Sequence, residues 1–122
     1  MDEQRTMQDI ILKAMPRLFA LWKLEPAECA RLLSMTEDQW RQVVDGNYRM
    51  DLTEGQVLRT SALLGIYRSL EICFSKRISD CWISLPNNGP TTQGQRPVDA
   101  MIEAGLPKFL EIRTYLEFQA GP

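Results

Sequence analysis

The chain has 122 residues, a formal net charge of −2 at pH 7, 44% hydrophobic residues and 25% charged residues, values that are ordinary for one globular domain and that exclude wholesale disorder. It contains no histidine, the side chain most often used as a general base and as a metal ligand. We therefore expect a protein that is not an enzyme and that holds no metal or cofactor. The small net charge gives no general attraction to nucleic acid or anionic lipid.

The chain carries three widely spaced cysteines, Cys29, Cys73 and Cys81, without a CxxC pair. Each lies among apolar residues, which favours buried, unreactive thiols over reactive ones. The first residues, MDEQRTMQD, are polar and acidic, unlike a signal peptide, and no uncharged apolar run approaches the roughly 20 residues of a membrane span. We expect a reduced, cytoplasmic protein with no membrane partner.

The amino-terminal pattern is helical. Apolar residues recur every three or four positions from Met7 to Trp22, which predicts one broad apolar helix face. Pro16 lies inside this run and predicts a kink or a break into two short helices, because proline lacks the backbone donor. Pro26 is suited to the first turn of a second helix that extends to Leu33. The apolar first helix is also a candidate for pairing with its symmetry mate, so a homo-oligomer is one expectation.

Two capping boxes follow, TEDQ beginning at Thr36 and TEGQ beginning at Thr53. The first predicts a third helix, which Gly46 ends by adopting a left-handed backbone. The second predicts the longest helix of the chain, whose wide apolar stripe extends to Phe74. The breadth of this stripe predicts packing on more than one side, as in a central helix.

The remaining elements are also predicted to be helices. Ser75 is a candidate cap for a short helix, and residues 85–96, LPNNGPTTQGQR, have the Pro, Asn and Gly combinations typical of a loop. Pro97 begins another helix, which Gly105 ends, and Pro107 begins the last one. No segment has the pattern of a strand. We predict an all-α fold in which helix-turn-helix-like amino-terminal helices pack on a carboxyl-terminal helical domain around one long central helix.

The predicted domains comprise residues 1–52 and 53–122. Within the first, Ala27 to Gly46 has the spacing of a helix-turn-helix, with the small Ala30 where the two helices cross and Ser34 in the turn. This spacing is compatible with a packing or dimerisation unit and with a DNA-binding unit, and the sequence leaves both open.

For DNA binding, the candidate residues lie at the start of the second helix of the pair and comprise Gln39, Arg41 and Gln42. The carboxylates of Glu37 and Asp38 in the same turn would repel phosphates, and residues 1–59 hold 8 Lys and Arg against 10 Asp and Glu. A stand-alone helix-turn-helix transcriptional regulator is therefore the alternative function.

In the carboxyl half, the stretch LLGIYRSLEICF is followed by an ordered set of residues, namely Trp82, Pro86-Asn87, Gly94, Pro97 and Gly105. Over roughly residues 55–122 this order resembles the toxin-binding domain of the Xre/MbcA/ParS-like antitoxins of type II toxin–antitoxin systems. The helix-turn-helix agrees with the Xre-like amino-terminal region of the same proteins. The sequence departs from the family at Arg96, where Ser or Thr often precedes the proline, and in the loop between Asn87 and Gly94.

The resemblance implies an antitoxin that covers the active-site cleft of a RES-domain toxin, an enzyme that consumes NAD or transfers ADP-ribose from it. It also implies a hetero-oligomer with the toxin and, through operator DNA, repression of its own operon. The candidate toxin-binding residues are Asn87, Arg96, Pro97, Asp99, Tyr115, Phe118 and Gln119.

Structural roles compete with this assignment at several positions. Arg96 is equally interpretable as a solvated loop arginine, and Asp99 as a favourable charge at a helix start. Tyr115 and Phe118 either meet a partner or fold back onto the long helix. We expect Trp82 in the core more than in an interface.

Overall fold

A computed structural model describes residues 3–121 and confirms the all-α prediction. Within that range it has seven α-helices, one short 3-10 turn and no strand. The helices are α1 (Glu3–Leu21), α2 (Pro26–Leu32), α3 (Glu37–Asp45), α4 (Glu54–Cys73), α5 (Lys76–Cys81), α6 (Pro97–Ala104) and α7 (Leu106–Ala120), and the 3-10 turn is Trp82–Ser84.

The chain forms two compact units, Met1–Thr60 and Ser61–Pro122. The division falls inside α4, further along the chain than the boundary after residue 52 that the capping box suggests. In the described part of the chain, no helix combines the length and the apolar character that crossing a bilayer requires.

In the amino-terminal unit, α1 buries one face. The buried side chains recur at helical spacing and comprise Ile11, Met15, Leu18 and Phe19, followed by Trp22 just after the helix. Pro16 lies inside this single helix, so of the two predicted outcomes, a kink or a break into two short helices, the break does not occur. The continuous helix carries its apolar face past the proline without interruption.

The α2–turn–α3 arrangement has the predicted helix-turn-helix connection. Ser34 adopts a left-handed φ of 57° in the turn, and the Met35 N–H donates to the Ala30 carbonyl at 2.9 Å. Trp40 of α3 is buried against Phe19 of α1, with ring centroids 5.3 Å apart. The apolar face of α3 is therefore committed to packing inside this unit.

Both predicted capping boxes form. The pairs are Thr36 with Gln39 and Thr53 with Gln56. In each pair, the threonine hydroxyl accepts a hydrogen bond from the backbone N–H of the glutamine at 3.1 Å, and the side-chain oxygen of the glutamine accepts one from the backbone N–H of the threonine at 2.9 Å. Gly46 ends α3 with a φ of 79°, also as predicted.

Two glutamines hold the connections of this unit in place. The buried Gln56 amide donates to the carbonyls of Leu33 and Ser34, so the cap of α4 also secures the turn between α2 and α3. Gln8 of α1 acts similarly on the connection between α3 and α4. Its side-chain amide donates a hydrogen bond to the Met50 carbonyl at 3.1 Å and accepts one from the Leu52 N–H at 2.7 Å.

In the carboxyl-terminal unit, α7 packs closely on α4. A β-carbon at Gly65 would lie 2.8 Å from Cδ of Arg113, so only glycine leaves room for that side chain. Further along the same two helices, the Cys73 thiol lies 3.9 Å from the Leu116 carbonyl. The buried apolar residues of this unit are Ala62, Leu63, Ile66, Leu70, Trp82, Ile83, Val98, Ala100, Met101, Phe109, Ile112 and Leu116.

The predicted loop of this unit and the residues predicted to begin and end α6 are confirmed. A loop connects the 3-10 turn to α6, Pro97 occupies the first turn of α6, and Gly105 ends it with a φ of 79°. The last helix begins at Leu106, one residue before the predicted Pro107. These boundaries bring the loop, the 3-10 turn and α7 around one surface groove.

Candidate partner-binding groove

A groove of about 270 Å³ opens on the carboxyl-terminal unit. It lies among the end of α4, the 3-10 turn, the loop and α7, and its lining residues are Cys73, Phe74, Trp82, Asn87, Tyr115, Leu116 and Gln119. Trp82 and Leu116 are buried, whereas Phe74 and Gln119 are exposed. The groove thus combines apolar surface with hydroxyl and amide groups, a mixture typical of binding sites.

The α7 contribution follows from helical spacing. Tyr115 and Leu116 precede Gln119 by four and three residues, which places all three on adjoining positions of the helix surface. Phe109, Ile112 and Leu116 are the buried residues of this helix. The exposed residues of this surface are therefore carried by a helix whose other face is packed in the unit.

The loop contribution is organised by Asn87. Its side-chain oxygen accepts from the Gly89 N–H at 2.6 Å, which makes an Asx turn. Its carbonyl accepts from the Gly94 N–H at 2.7 Å and from the Thr92 hydroxyl at 2.6 Å, and its own N–H donates to the Gln95 carbonyl at 3.1 Å. The loop is closed on itself by these bonds and is held in one shape.

Two contacts attach this loop to the helices that follow. The Lys108 ammonium donates to the Thr91 carbonyl at 2.9 Å, and the Gln95 amide donates to a Glu103 carboxylate oxygen at 2.8 Å. A loop ordered in this way loses less conformational entropy when a partner binds.

The structure brings three of the seven predicted toxin-binding residues, Asn87, Tyr115 and Gln119, into the groove. Phe118 does not line it, but lies next to Gln119 on α7 and is 82% exposed, which makes it the most exposed large apolar side chain described. The two predicted aromatic residues therefore differ, since Tyr115 is half-buried at the groove and Phe118 is turned to solvent.

The other three predicted residues lie at the start of α6, and none of them lines the groove. The Arg96 guanidinium pairs with the Asp99 carboxylate, with Nε and Oδ2 3.2 Å apart. Pro97 is buried in the first turn of the helix. This pair and the proline have evident roles in beginning α6.

Four lining residues were absent from the sequence-based set, Cys73, Phe74, Trp82 and Leu116. Trp82 is only 7% exposed, in agreement with the expected core position, yet its remaining surface faces the groove. Of these four residues, only Phe74 had a sequence signal for a role in binding, because it is a large aromatic residue just beyond the last residue of α4.

The three candidate DNA-contacting residues lie on α3 of the other unit. The Gln39 amide is engaged in the cap of its own helix, and its nitrogen lies 3.9 Å from the Met50 sulfur. The Arg41 guanidinium pairs with Asp38 at 3.0 Å. Gln42 is exposed. Two of the three side chains therefore have partners within the chain.

The three cysteines differ in burial. Cys29 is 3% exposed, and burial, aided by the nearby Glu28 carboxylate, raises the pKa of its thiol to about 12. An unreactive Cys29 is thus in accord with the prediction. Cys73 and Cys81 are only half-buried, contrary to the expectation for all three. Within residues 3–121, no three Cys, Asp or Glu side chains form a group able to hold a metal ion.

Comparison of the chain with known protein families, with curated proteins and with solved structures finds no match. The resemblance to antitoxins therefore rests on the ordered residues of the carboxyl half alone.

Proposed function

We propose that this chain is an antitoxin whose carboxyl-terminal unit binds a RES-domain toxin and blocks the active site at which the toxin uses NAD. The observation that carries the proposal is the groove, where Asn87, Tyr115 and Gln119 lie together. These residues come from separate segments of the chain, and the sequence had given all three as candidates for toxin binding, Asn87 and Tyr115 within the antitoxin resemblance and Gln119 as a residue of the exposed last turns.

The lining of the groove fits a segment of folded protein with one apolar side chain. Phe74, Trp82 and Leu116 supply apolar surface. Tyr115 and Gln119 supply a hydroxyl and an amide, which can both donate and accept hydrogen bonds to the backbone of a bound segment. A pocket with apolar walls and a few polar groups at its edge is typical of the anchor points in protein interfaces.

Phe118 extends the candidate contact surface beyond the groove. An aromatic side chain with 82% of its surface in water contributes little to folding, and burial against a partner would remove that apolar surface from water. Phe118 adjoins Gln119, so one partner surface can cover the groove and Phe118 together. We therefore expect the end of α7 to carry much of the affinity.

The proposed action is inhibition by occlusion. The inhibitor binds in one-to-one proportion and itself transforms no substrate. A rigid loop and a helix end, both fixed by packing within the unit, are suited to this role, because a preformed surface retains more of its interaction energy as affinity.

The proposal expects a RES-domain toxin to be encoded next to this chain and is tested by coexpression with that enzyme. Induction of the enzyme alone is expected to stop bacterial growth, and coexpression of the wild-type chain is expected to restore it. Gln119→Arg places a long charged side chain at the groove and is expected to abolish the rescue.

The matched control is Thr114→Arg, the same substitution at an exposed position of α7 that does not line the groove. It is expected to rescue growth as the wild type does. Equal rescue by both variants would rule out the groove as the inhibitory surface, and no rescue by the wild-type chain would reject the antitoxin function.

The second candidate function, binding of operator DNA, is favoured by the α2–turn–α3 geometry alone. Gln42 is exposed, but Gln39 and Arg41 would have to leave their partners within the chain to contact bases. A mobility-shift titration of the chain on its own promoter at low salt tests this function. Sequence-selective binding that Gln42→Ala weakens would support it, and absence of a shift would reject it.

A further inference from the structure

The exposed side of α1 carries two large apolar side chains that packing within the chain does not bury. Met7 is 58% exposed and Ile10 is 59% exposed, although the neighbouring face of the same helix is buried. These two residues belong to a stripe with alternating steps of four and three residues, namely Glu3, Met7, Ile10, Ala14 and Arg17. Such spacing is typical of the contact line between two paired helices.

The charges at the ends of this stripe indicate which partner fits it. Glu3 lies at the amino-terminal end and Arg17 near the carboxyl-terminal end. Neither forms an ion pair with another residue in the range 3–121. In a parallel pair of two α1 helices, each end would place like charges together. In an antiparallel pair, Glu3 of one helix meets Arg17 of the other at both ends.

We propose that α1 is the contact surface of a homodimer in which two copies of the helix cross antiparallel, with Ile10 at the two-fold axis. Ile10 then meets its own counterpart, and Met7 lies beside Ala14 of the second copy. Glu3 and Arg17 form one ion pair at each end of the contact. The arrangement is self-complementary, as a two-fold interface requires.

The size of this contact predicts a weak dimer. From Glu3 to Arg17 the helix extends roughly 21 Å at about 1.5 Å per residue. A single pair of helices of that length buries less surface than the roughly 1,200–2,000 Å² of standard stable complexes. We therefore expect a monomer–dimer equilibrium in the micromolar range, which salt shifts toward the monomer because the end pairs are exposed.

Sedimentation equilibrium of the full chain over a range of micromolar concentrations tests the proposal. The average mass of the wild type is expected to rise from the 14.0 kDa of the chain toward twice that value. Ile10→Glu is expected to raise the dissociation constant about tenfold or more. The control Val44→Glu alters another exposed apolar residue, on α3 and 55% exposed, and is expected to leave the equilibrium unchanged.

A charge exchange tests the antiparallel orientation. Glu3→Arg places a positive charge close to Arg17 of the second copy. The two like charges repel each other, and the variant is expected to raise the dissociation constant about fivefold. The double variant Glu3→Arg with Arg17→Glu restores opposite charges and is expected to return it to within about twofold of wild type. Circular dichroism checks that α1 is retained in each variant.

A wild-type chain that stays monomeric throughout, an Ile10→Glu variant that dimerises normally, or a charge exchange that fails to restore dimerisation would each overturn the proposal. A dimer that Phe118→Ala disrupts and Ile10→Glu does not would place the contact at the end of α7 instead. None of these outcomes bears on toxin inhibition, which is measured separately.

Discussion

The side chain of Arg113 on α7 lies over Gly65 on α4, where a β-carbon would be 2.8 Å from Cδ and 3.2 Å from Cγ of the arginine. This contact joins α7 to α4. Two and three residues later on α7 come Tyr115 and Leu116, which line the groove. The contact at Gly65 thus lies next to candidate binding residues on the same helix.

Gly65→Ala is therefore expected to destabilise the chain, although alanine is the better helix former. Crowding of the middle of the Arg113 side chain outweighs the gain in helix propensity of about 1 kcal/mol, and we expect a net loss of about 1 kcal/mol in the free energy of unfolding. Denaturant titration followed by circular dichroism measures it.

The control is Gly55→Ala in the first turn of the same helix, where the atom nearest to the β-carbon would be Nη1 of Arg59, the far end of its side chain, at 3.0 Å. This variant is expected to be as stable as the wild type or up to about 1 kcal/mol more stable. If Gly65→Ala proved the more stable of the two variants, the packing account of α4 and α7 would be wrong.

The glutamines of the two capping boxes are predicted to contribute different amounts to the free energy of unfolding. Gln39 caps α3 at an exposed position, so Gln39→Leu is expected to cost about 1 kcal/mol. Gln56 has the same position in its box but is buried and also donates to two carbonyls of the α2–α3 turn. Gln56→Leu leaves those carbonyls without their donor and is expected to cost about 2–3 kcal/mol. Equal losses in denaturant unfolding would mean that the tie to the turn contributes nothing.

The features that the sequence predicted correctly are local ones. They are the capping boxes, the left-handed Gly46, the end of α6 at Gly105 and the loop after the 3-10 turn, each of which depends on residues within a few positions of one another. A kink or a break was predicted at Pro16, and the break is absent because packing of the apolar face on both sides of the proline stabilises a single helix. That energy comes from tertiary contacts, which local propensity does not report.

The groove was only partly predictable for the same reason. Asn87 and Tyr115 belong to the family resemblance, and Gln119 was proposed from the exposed last turns of the chain. The proximity of the three residues depends on how α7 meets α4. The role of Gly65 has no sequence signal, because a glycine within a helical pattern indicates only lower helix propensity. Gln56 was recognised as a cap, whereas its bonds to a turn more than twenty residues away appear only in the structure.

Asn87 is predicted to hold the loop through its side-chain oxygen. Asn87→Ala removes the acceptor for the Gly89 N–H and is expected to speed hydrogen exchange of that amide about five- to tenfold, equivalent to roughly 1 kcal/mol. Asn87→Asp keeps an acceptor oxygen and is expected to exchange as the wild type does. Unchanged exchange in Asn87→Ala would show that the loop is closed by its backbone bonds alone.

Burial of Cys29 predicts a pH dependence of stability. Its pKa in the folded chain is about 12, above the ordinary value of 9.0, so the folded chain keeps the thiol proton where the unfolded chain loses it. The stabilising contribution is complete below about pH 9 and is lost as the pH rises toward 12. The free energy of unfolding is expected to fall more between about pH 8 and pH 10 in the wild type than in Cys29→Ala. An equal fall in both chains would contradict this assignment, and Cys81→Ala serves as the half-buried control.

The central proposal, inhibition through the groove, is tested most directly by titrating the purified chain into an NAD-consumption assay of the RES-domain toxin that we expect to be encoded next to it. The account predicts that activity falls linearly and reaches zero at one chain per enzyme, and that Gln119→Arg shifts the curve strongly while Thr114→Arg does not. Undiminished NAD consumption at excess wild-type chain would contradict it.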